Sequence, residues 1–216
     1  EILIGLVGSE MCIRDSLGGY EASDFLWGKA ADIAPTSQRI AVKFQHRMAG
    51  VLVTLSEGTG FDTGEFAQLE KSVLVTNTIR KAVIDLSTGA VFPTGEVPTT
   101  GTVPYKRDGN FRAVVVPQTV AASTPLFSIT VDGVPYVFRK SEPFSYMSGK
   151  LHKFTIEVSK KSASGLEFKL LGESITAWET DNISHDATAR EYIIVDCPEP
   201  CLLYTSPSPR DRSVSR

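Results

Sequence analysis

The chain has 216 residues, 22 of them Lys or Arg and 25 Asp or Glu, for a net charge of −3; 42% of it is hydrophobic and 9% aromatic. That balance excludes a disordered, collagen-like or nucleic-acid-coating chain, each of which departs strongly from globular composition. No apolar run approaches the roughly 18 residues that a membrane-spanning helix needs, which excludes a bundle of such helices.

Both ends read as foreign. Back-translated, Leu6 to Ser16 has a reverse complement that encodes Cys201 to Asp211, as they stand, in one frame. No protein-level cause links two ends in this way, and the DNA resembles the adapter that transposon-based sequencing libraries add to fragment ends. Residues 1–16 and 201–216 are therefore expected to be adapter translation and are set aside from fold reasoning. A signal peptide fits Glu1 to Ser16 poorly, because the segment opens on an acid, has no basic start, and its apolar stretch is broken at Gly5. Residues 17–200 are then expected to be an internal piece of a longer protein. Setting the ends aside removes Cys12 and Cys201 and leaves Cys197 alone, so neither a disulfide framework nor a CxxC metal pair is expected.

Residues 17–36 are loosely patterned, with Tyr20, Phe25 and Trp27 followed by Ala30-Ala31 and Pro35, as expected of the tail of a preceding lobe plus a linker. From 37 to 180 period-two alternation dominates, which marks half-buried antiparallel strands. Ile40, Val42 and Phe44 share one face, and further strands are expected at 51–55, 73–76, 82–86 and 111–116. Asp62 with Glu65 three positions on makes a capping-box start, and Phe66, Leu69 and Val73 follow at helical spacing, so a short helical turn is expected there. Residues 91–105 carry three prolines and two glycines and read as a long loop or irregular edge. Pro117 ends the run Ala113–Val116 or places it at an edge. Phe127, Ile129 and Val131 form the next alternating strand; 134–138, then Phe154, Ile156 and Val158, then 166–170 complete the series. Ser87-Thr88-Gly89, Asp108-Gly109-Asn110, Val131-Asp132-Gly133 and Ser162-Ala163-Ser164-Gly165 supply hairpin turns. Strands this short and regularly punctuated indicate an all-β sandwich or barrel. A polar linker at 179–191 and the strand-like run Tyr192–Val195 are expected to open a further, truncated domain within 181–200.

Little in this pattern carries reaction chemistry. His46, His152 and His185 are far apart, and only His185, between Asp181 and Asp186, has carboxylates nearby; without the alternating ligands and Gly of a calcium loop, that cluster reads as a solvated linker and no metal is expected. Glu57-Gly58-Thr59-Gly60 lacks the Lys-Ser/Thr of a phosphate loop and reads as a turn. There is no GxSxG elbow and no histidine paired with a nucleophile, so neither an enzyme nor a cofactor is expected. Cys197 reads as a small core residue. Arg39, Lys43 and Arg47, like Lys150, Lys153, Lys160 and Lys161, read as solvated strand faces and not as the clustered excess a nucleic-acid surface needs. Trp27, Tyr105, Tyr136 and Trp178 have two readings: a stacking platform for a glycan, or core and edge packing.

Five phrases then occur in one order: Val42-Lys43-Phe44-Gln45-His46-Arg47-Met48-Ala49 with Val51–Leu55; Val114-Val115-Val116-Pro117-Gln118-Thr119-Val120; Ile129-Thr130-Val131-Asp132-Gly133 with Tyr136; Ser148-Gly149-Lys150 before Phe154–Val158; and Ile175-Thr176-Ala177-Trp178. This series resembles the fimbrillin-like proteins of Bacteroides-type anaerobes over most of 37–178. The resemblance implies a transthyretin-like, Greek-key antiparallel β-sandwich, the C-terminal of two lobes. It also implies export as a lipoprotein to the cell outer membrane or a pilus, with membrane contact only through a lipid anchor. Partners would be other fimbrial subunits or host and bacterial surface ligands, and polymerisation would use a donated strand. The rival expectation is a glycan-binding or accessory module of a surface carbohydrate-utilisation protein. An exposed coplanar pair among Trp27, Tyr105, Tyr136 and Trp178 would favour that rival; burial of all four would favour the structural reading.

Overall fold

The computed structural model describes residues 2–5, 10–12, 20–31, 40–162 and 165–178. The Asp181–Asp186 cluster with His185, the Tyr192–Val195 run, Cys197, Arg39 and the 201–216 end lie outside the described residues. In chain order the strands are β1 (Ile2–Gly5), β2 (Glu10–Cys12), β3 (Leu26–Ala30), β4 (Gln45–His46), β5 (Ala49–Glu57), β6 (Lys71–Val75), β7 (Lys81–Asp85) and β8 (Ala90–Thr94). They continue as β9 (Tyr105–Arg107), β10 (Asn110–Val115), β11 (Gln118–Val120), β12 (Pro125–Val131), β13 (Val134–Arg139), β14 (Phe144–Tyr146), β15 (Lys150–Ser162) and β16 (Gly165–Ala177). One helical turn, α1 (Glu65–Gln68), interrupts them.

The expected all-β class is what the chain adopts. A five-stranded sheet runs β16-β15-β5-β10-β9, and β13-β12-β6 and β11-β14 supply the strands opposite it. Alternation decides what each strand buries. Val51, Val53 and Leu55 of β5, Phe111, Ala113 and Val115 of β10, and Phe154, Ile156 and Val158 of β15 share one core with Val73 and Val75 of β6 and Phe127, Ile129 and Val131 of β12. The hairpins form where the turn chemistry puts them. Between β12 and β13, Asp132 and Gly133 hold φ of 47° and 76°, the two-residue left-handed turn whose twist matches that of the flanking strands.

Three expectations are corrected in detail. The sheet is mixed: β5 and β15 pair in parallel from Leu151↔Gly50 to Val158↔Glu57, and the chain between them crosses over through the opposite layer. The alternating run Ile40–Phe44 lies beside Gly28 of β3 but forms no strand, and ladder pairing with β3 begins only at Gln45. The helix is the short turn expected, but its start is not the one the Asp62–Glu65 spacing named. Asp62 N–H donates to Glu65 Oε2 at 2.9 Å, but the residue at the helix start is Gly64, which has no capping side chain. Val73 sits on β6, as the strand expected at 73–76 requires, and is buried by its strand phase. The irregular reading of 91–105 holds for its middle, while its ends enter β8 and β9.

A second, smaller core lies on the outer side of β10. Val114 and Val116 face Phe25, Met48, Ala82 and Ile84, with Trp27, Leu86, Val91 and Trp178 packed around them. Strand β10 is thus buried on both sides, which is why Ala113–Val116 reads as an unbroken apolar run where its neighbours alternate. The segment 20–30 is held against the β7–β8 hairpin by this core. In addition, β1 pairs with β3 and β2 with β7. Backbone pairing by those short segments leaves the coding relation between the two chain ends untouched.

In the main core Tyr146 is 2% exposed and its hydroxyl has no hydrogen-bond partner among the described residues. Burial without a partner also pushes that phenol's pKa well above its usual value. Tyr146→Phe removes an unsatisfied polar atom and keeps the ring, so stability should stay level or rise by about 1 kcal/mol in urea denaturation. A loss above that size would mean that the hydroxyl has a partner.

Candidate functional site

The second core gathers the side chains with the most specific polar geometry. Arg47 N–H donates to the Phe25 carbonyl at 2.9 Å, tying β4 to the 20–30 segment. One residue on each side, His46 Nδ1 meets Asp24 Oδ2 at 2.6 Å. The imidazole lies flat on the Trp178 indole, with centroids 4.3 Å apart and planes 1° from parallel. The backbone beneath that indole is Gly50, where a Cβ would stand 3.1 Å from the ring. Only glycine lets the indole lie this close to β5. Three segments far apart in sequence meet here: Asp24 before β3, His46 on β4 and Trp178 after β16.

Burial holds the Asp24 carboxyl above its ordinary pKa of 3.8, and the neighbouring His46 pulls the other way. Asp24 Oδ1 is buried without a hydrogen-bond partner among the described residues. His152, fully buried under the same end of the sheet, has a separate role. Its Nε2 accepts the Met147 N–H at 3.2 Å and its Nδ1–H donates to the Gly50 carbonyl at 3.1 Å, which fixes a neutral ring with one tautomer. Burial pushes its pKa below the usual 6.5, against the pull of its backbone acceptors and of Glu173.

The four aromatics singled out by the sequence are not brought onto one platform. Trp27 is clamped: its Nε1–H donates to the Leu86 carbonyl at 2.9 Å, the Arg47 guanidinium sits 4.6 Å above its ring, and Gly89 lies so close that a Cβ would be 2.5 Å away. Trp178 is stacked on His46 as described. Tyr136 of β13 stacks on Phe168 of β16 at 4.7 Å and 6°, on the far side of the main core. Tyr105, 37% exposed, stacks on Tyr20 at 5.6 Å. Trp27 and Trp178 share the second core, but each of the four rings stacks on, or is capped by, a residue outside the set. The Asp24–His46–Trp178 stack was not legible, because neither local pattern nor spacing connects residues 24, 46 and 178.

Among the described residues no three His, Cys, Asp or Glu side chains gather as metal ligands, and no helix is long and apolar enough to cross a membrane. The His46 imidazole is engaged on its face and on one nitrogen, so this arrangement fastens segments together. Sheet edges are the other open feature. Among the described residues no strand pairs with the outer side of the thirteen-residue β16, whose register slips at Leu171 opposite Thr155 and Ile156.

The fold is similar to that of a candidate cell adhesion protein from Bacteroides uniformis, with a TM-score of 0.59 at 18% identity, covering 79% of this chain and 65% of that one. A candidate cell adhesion protein from Bacteroides ovatus gives a TM-score of 0.57 at 11% identity, covering 82% and 64%. At such identities the likeness shows the fold alone. The chain spans about two-thirds of the length of each of these relatives. No curated protein matches the sequence. A family profile described as fimbrillin-like matches residues 14–178.

Proposed function

This chain belongs to the fimbrillin-like family, and from that premise we propose that it is a non-catalytic cell-surface module of fimbrial assembly or adhesion. The observation that carries the reading is the family match across 14–178, on a sandwich whose fold neighbours are candidate adhesion proteins. The finer parts of the proposal are a lipid anchor in the outer membrane, other fimbrial subunits as partners, and assembly by a donated strand. The edge of β16, unpaired among the described residues, supports strand addition in general terms, since unpaired backbone groups on a long edge are a template for another chain. For domain organisation, we propose that 17–36 is the tail of a preceding lobe, 37–180 one β-sandwich lobe and 181–200 the start of a further domain, with adapter translation at 1–16 and 201–216.

The test is assembly of the intact two-lobe protein after its leading strand is removed. Under this reading a ladder of heat-resistant oligomers grows on a denaturing gel. Protein that stays monomeric at every concentration, with the strand removed, would sink strand donation. The glycan alternative keeps one observation, the exposed Tyr105 stacked on Tyr20. Glycan-array binding that vanishes in Tyr105→Ala would favour it over the assembly reading.

A further inference from the structure

The three-stranded layer β13-β12-β6 has two edges with different surroundings. Beyond β6, Thr102 exchanges two backbone hydrogen bonds with Val75, at 2.9 and 2.7 Å, and Lys106 Nζ donates to the Lys71 carbonyl at 3.2 Å. Beyond β13 no strand pairs among the described residues. Tyr136 reaches across to Phe168 and Lys140 to Glu173 in the other layer, but these side-chain contacts pair no backbone group. The sequence of that edge favours pairing with another chain. Val134-Pro135-Tyr136-Val137-Phe138 is rich in β-branched and aromatic residues and carries no charge before Arg139, and apart from its proline this is the composition that joins strand to strand.

The register decides which N–H groups of β13 face outward. Asp132 and Gly133, both left-handed, make a two-residue turn, so Val131 and Val134 form a hydrogen-bonded pair. Alternation from that pair aims the backbone groups of Val134 and Tyr136 at β12 and those of Pro135 and Val137 away from it. Pro135 thus holds the first outward position, is itself exposed, and presents a ring carbon where a donor would stand. A proline at 134 or 136 would take a hydrogen bond from the hairpin, whereas at 135 it takes none. We propose that Pro135 closes the β13 edge to strand addition by a second copy of this chain. An antiparallel strand laid along β13 would set one carbonyl against the pyrrolidine ring, unpaired and crowded, and a two-fold symmetric pair of β13 edges would do so twice. This holds whether or not a strand is donated to β16.

Restoring the N–H in the full chain tests this. Pro135→Thr supplies the donor on a β-forming residue of little apolar area, so a gain in association does not come from a more apolar surface. Sedimentation velocity over a concentration series, parent and variant side by side, should show Pro135→Thr self-associating at concentrations about tenfold or more below those the parent needs, the effect of the backbone hydrogen bonds regained. Pro135→Ala restores the same N–H and should shift association in the same direction. Amide exchange locates the contact: the N–H groups of 135 and 137 should exchange slowly in the associated fraction and freely in the monomer. Identical sedimentation of parent and folded variants would overturn the proposal. Association in which those two N–H groups still exchange freely would overturn it as well, because the new contact would then lie away from β13.

Discussion

Phe127→Ala is expected to cost about 3–5 kcal/mol, the range for truncating a fully buried aromatic. Phe127 is wholly buried, stacks on Phe138 at 4.5 Å and 8°, and meets the edge of Phe154 at 5.0 Å and 64°. Phe127 and Phe138 come from neighbouring strands of one layer, and Phe154 comes from the five-stranded sheet opposite. The ring therefore bridges the two layers, and its removal leaves a cavity that neither can fill without separating from the other. Against a total of about 5–15 kcal/mol for an ordinary domain, such a loss is a large share of the whole. Urea unfolding reads it directly: the midpoint should fall while the slope stays constant. A change under about 1 kcal/mol would show that the two layers do not pack through this ring.

His152→Phe is expected to cost about 2–4 kcal/mol at pH 7, because it strands the Gly50 carbonyl and the Met147 N–H, each a buried group costing about 1–3 kcal/mol when unpaired. The larger signature is in pH. Burial lowers the folded-state pKa of His152 below 6.5, so between the two values the unfolded chain binds more protons than the folded one. Stability from this group is complete above 6.5 and is lost as pH falls below it. Asp24 has the opposite sign: its raised pKa means that stability linked to it declines as pH rises above 3.8. Denaturation midpoints measured from pH 8 to pH 5 should therefore fall in the parent chain and fall less in His152→Phe. An identical acid limb in both would place the responsible proton elsewhere.

The fold was legible where one physical cause acts on neighbouring residues. Strand alternation in 127–131 and 154–158 and the Asp-Gly turns at 108–109 and 132–133 are local, and each produced the element expected. Where the cause is distant, the pattern misleads or says nothing. Ile40, Val42 and Phe44 alternate and run beside β3 without forming a strand, and the apolar phase of Val73 serves equally for a helix and a strand until β12 pairs with it. The unbroken Ala113–Val116 run signals burial on both sides without naming the second core that causes it. The stacking residues show the same limit: composition picks out large rings, but only the folded chain shows that Trp178 is taken by His46 and Trp27 by Arg47.

The parallel pairing of β5 with β15 has a consequence in time. Contacts such as Ser56 to Ile156 join residues 100 apart, so the central strand of the larger sheet must wait for a neighbour made much later. At about 5–20 residues per second of synthesis that wait is about 5–20 s, during which β5 has an open side. Long-range pairing of this kind also folds slowly once the chain is complete, because the loop must close before the strands reward it. Slow closure leaves a long apolar strand exposed well after its synthesis, which makes shielding of that strand during the interval a condition for the yield of folded protein.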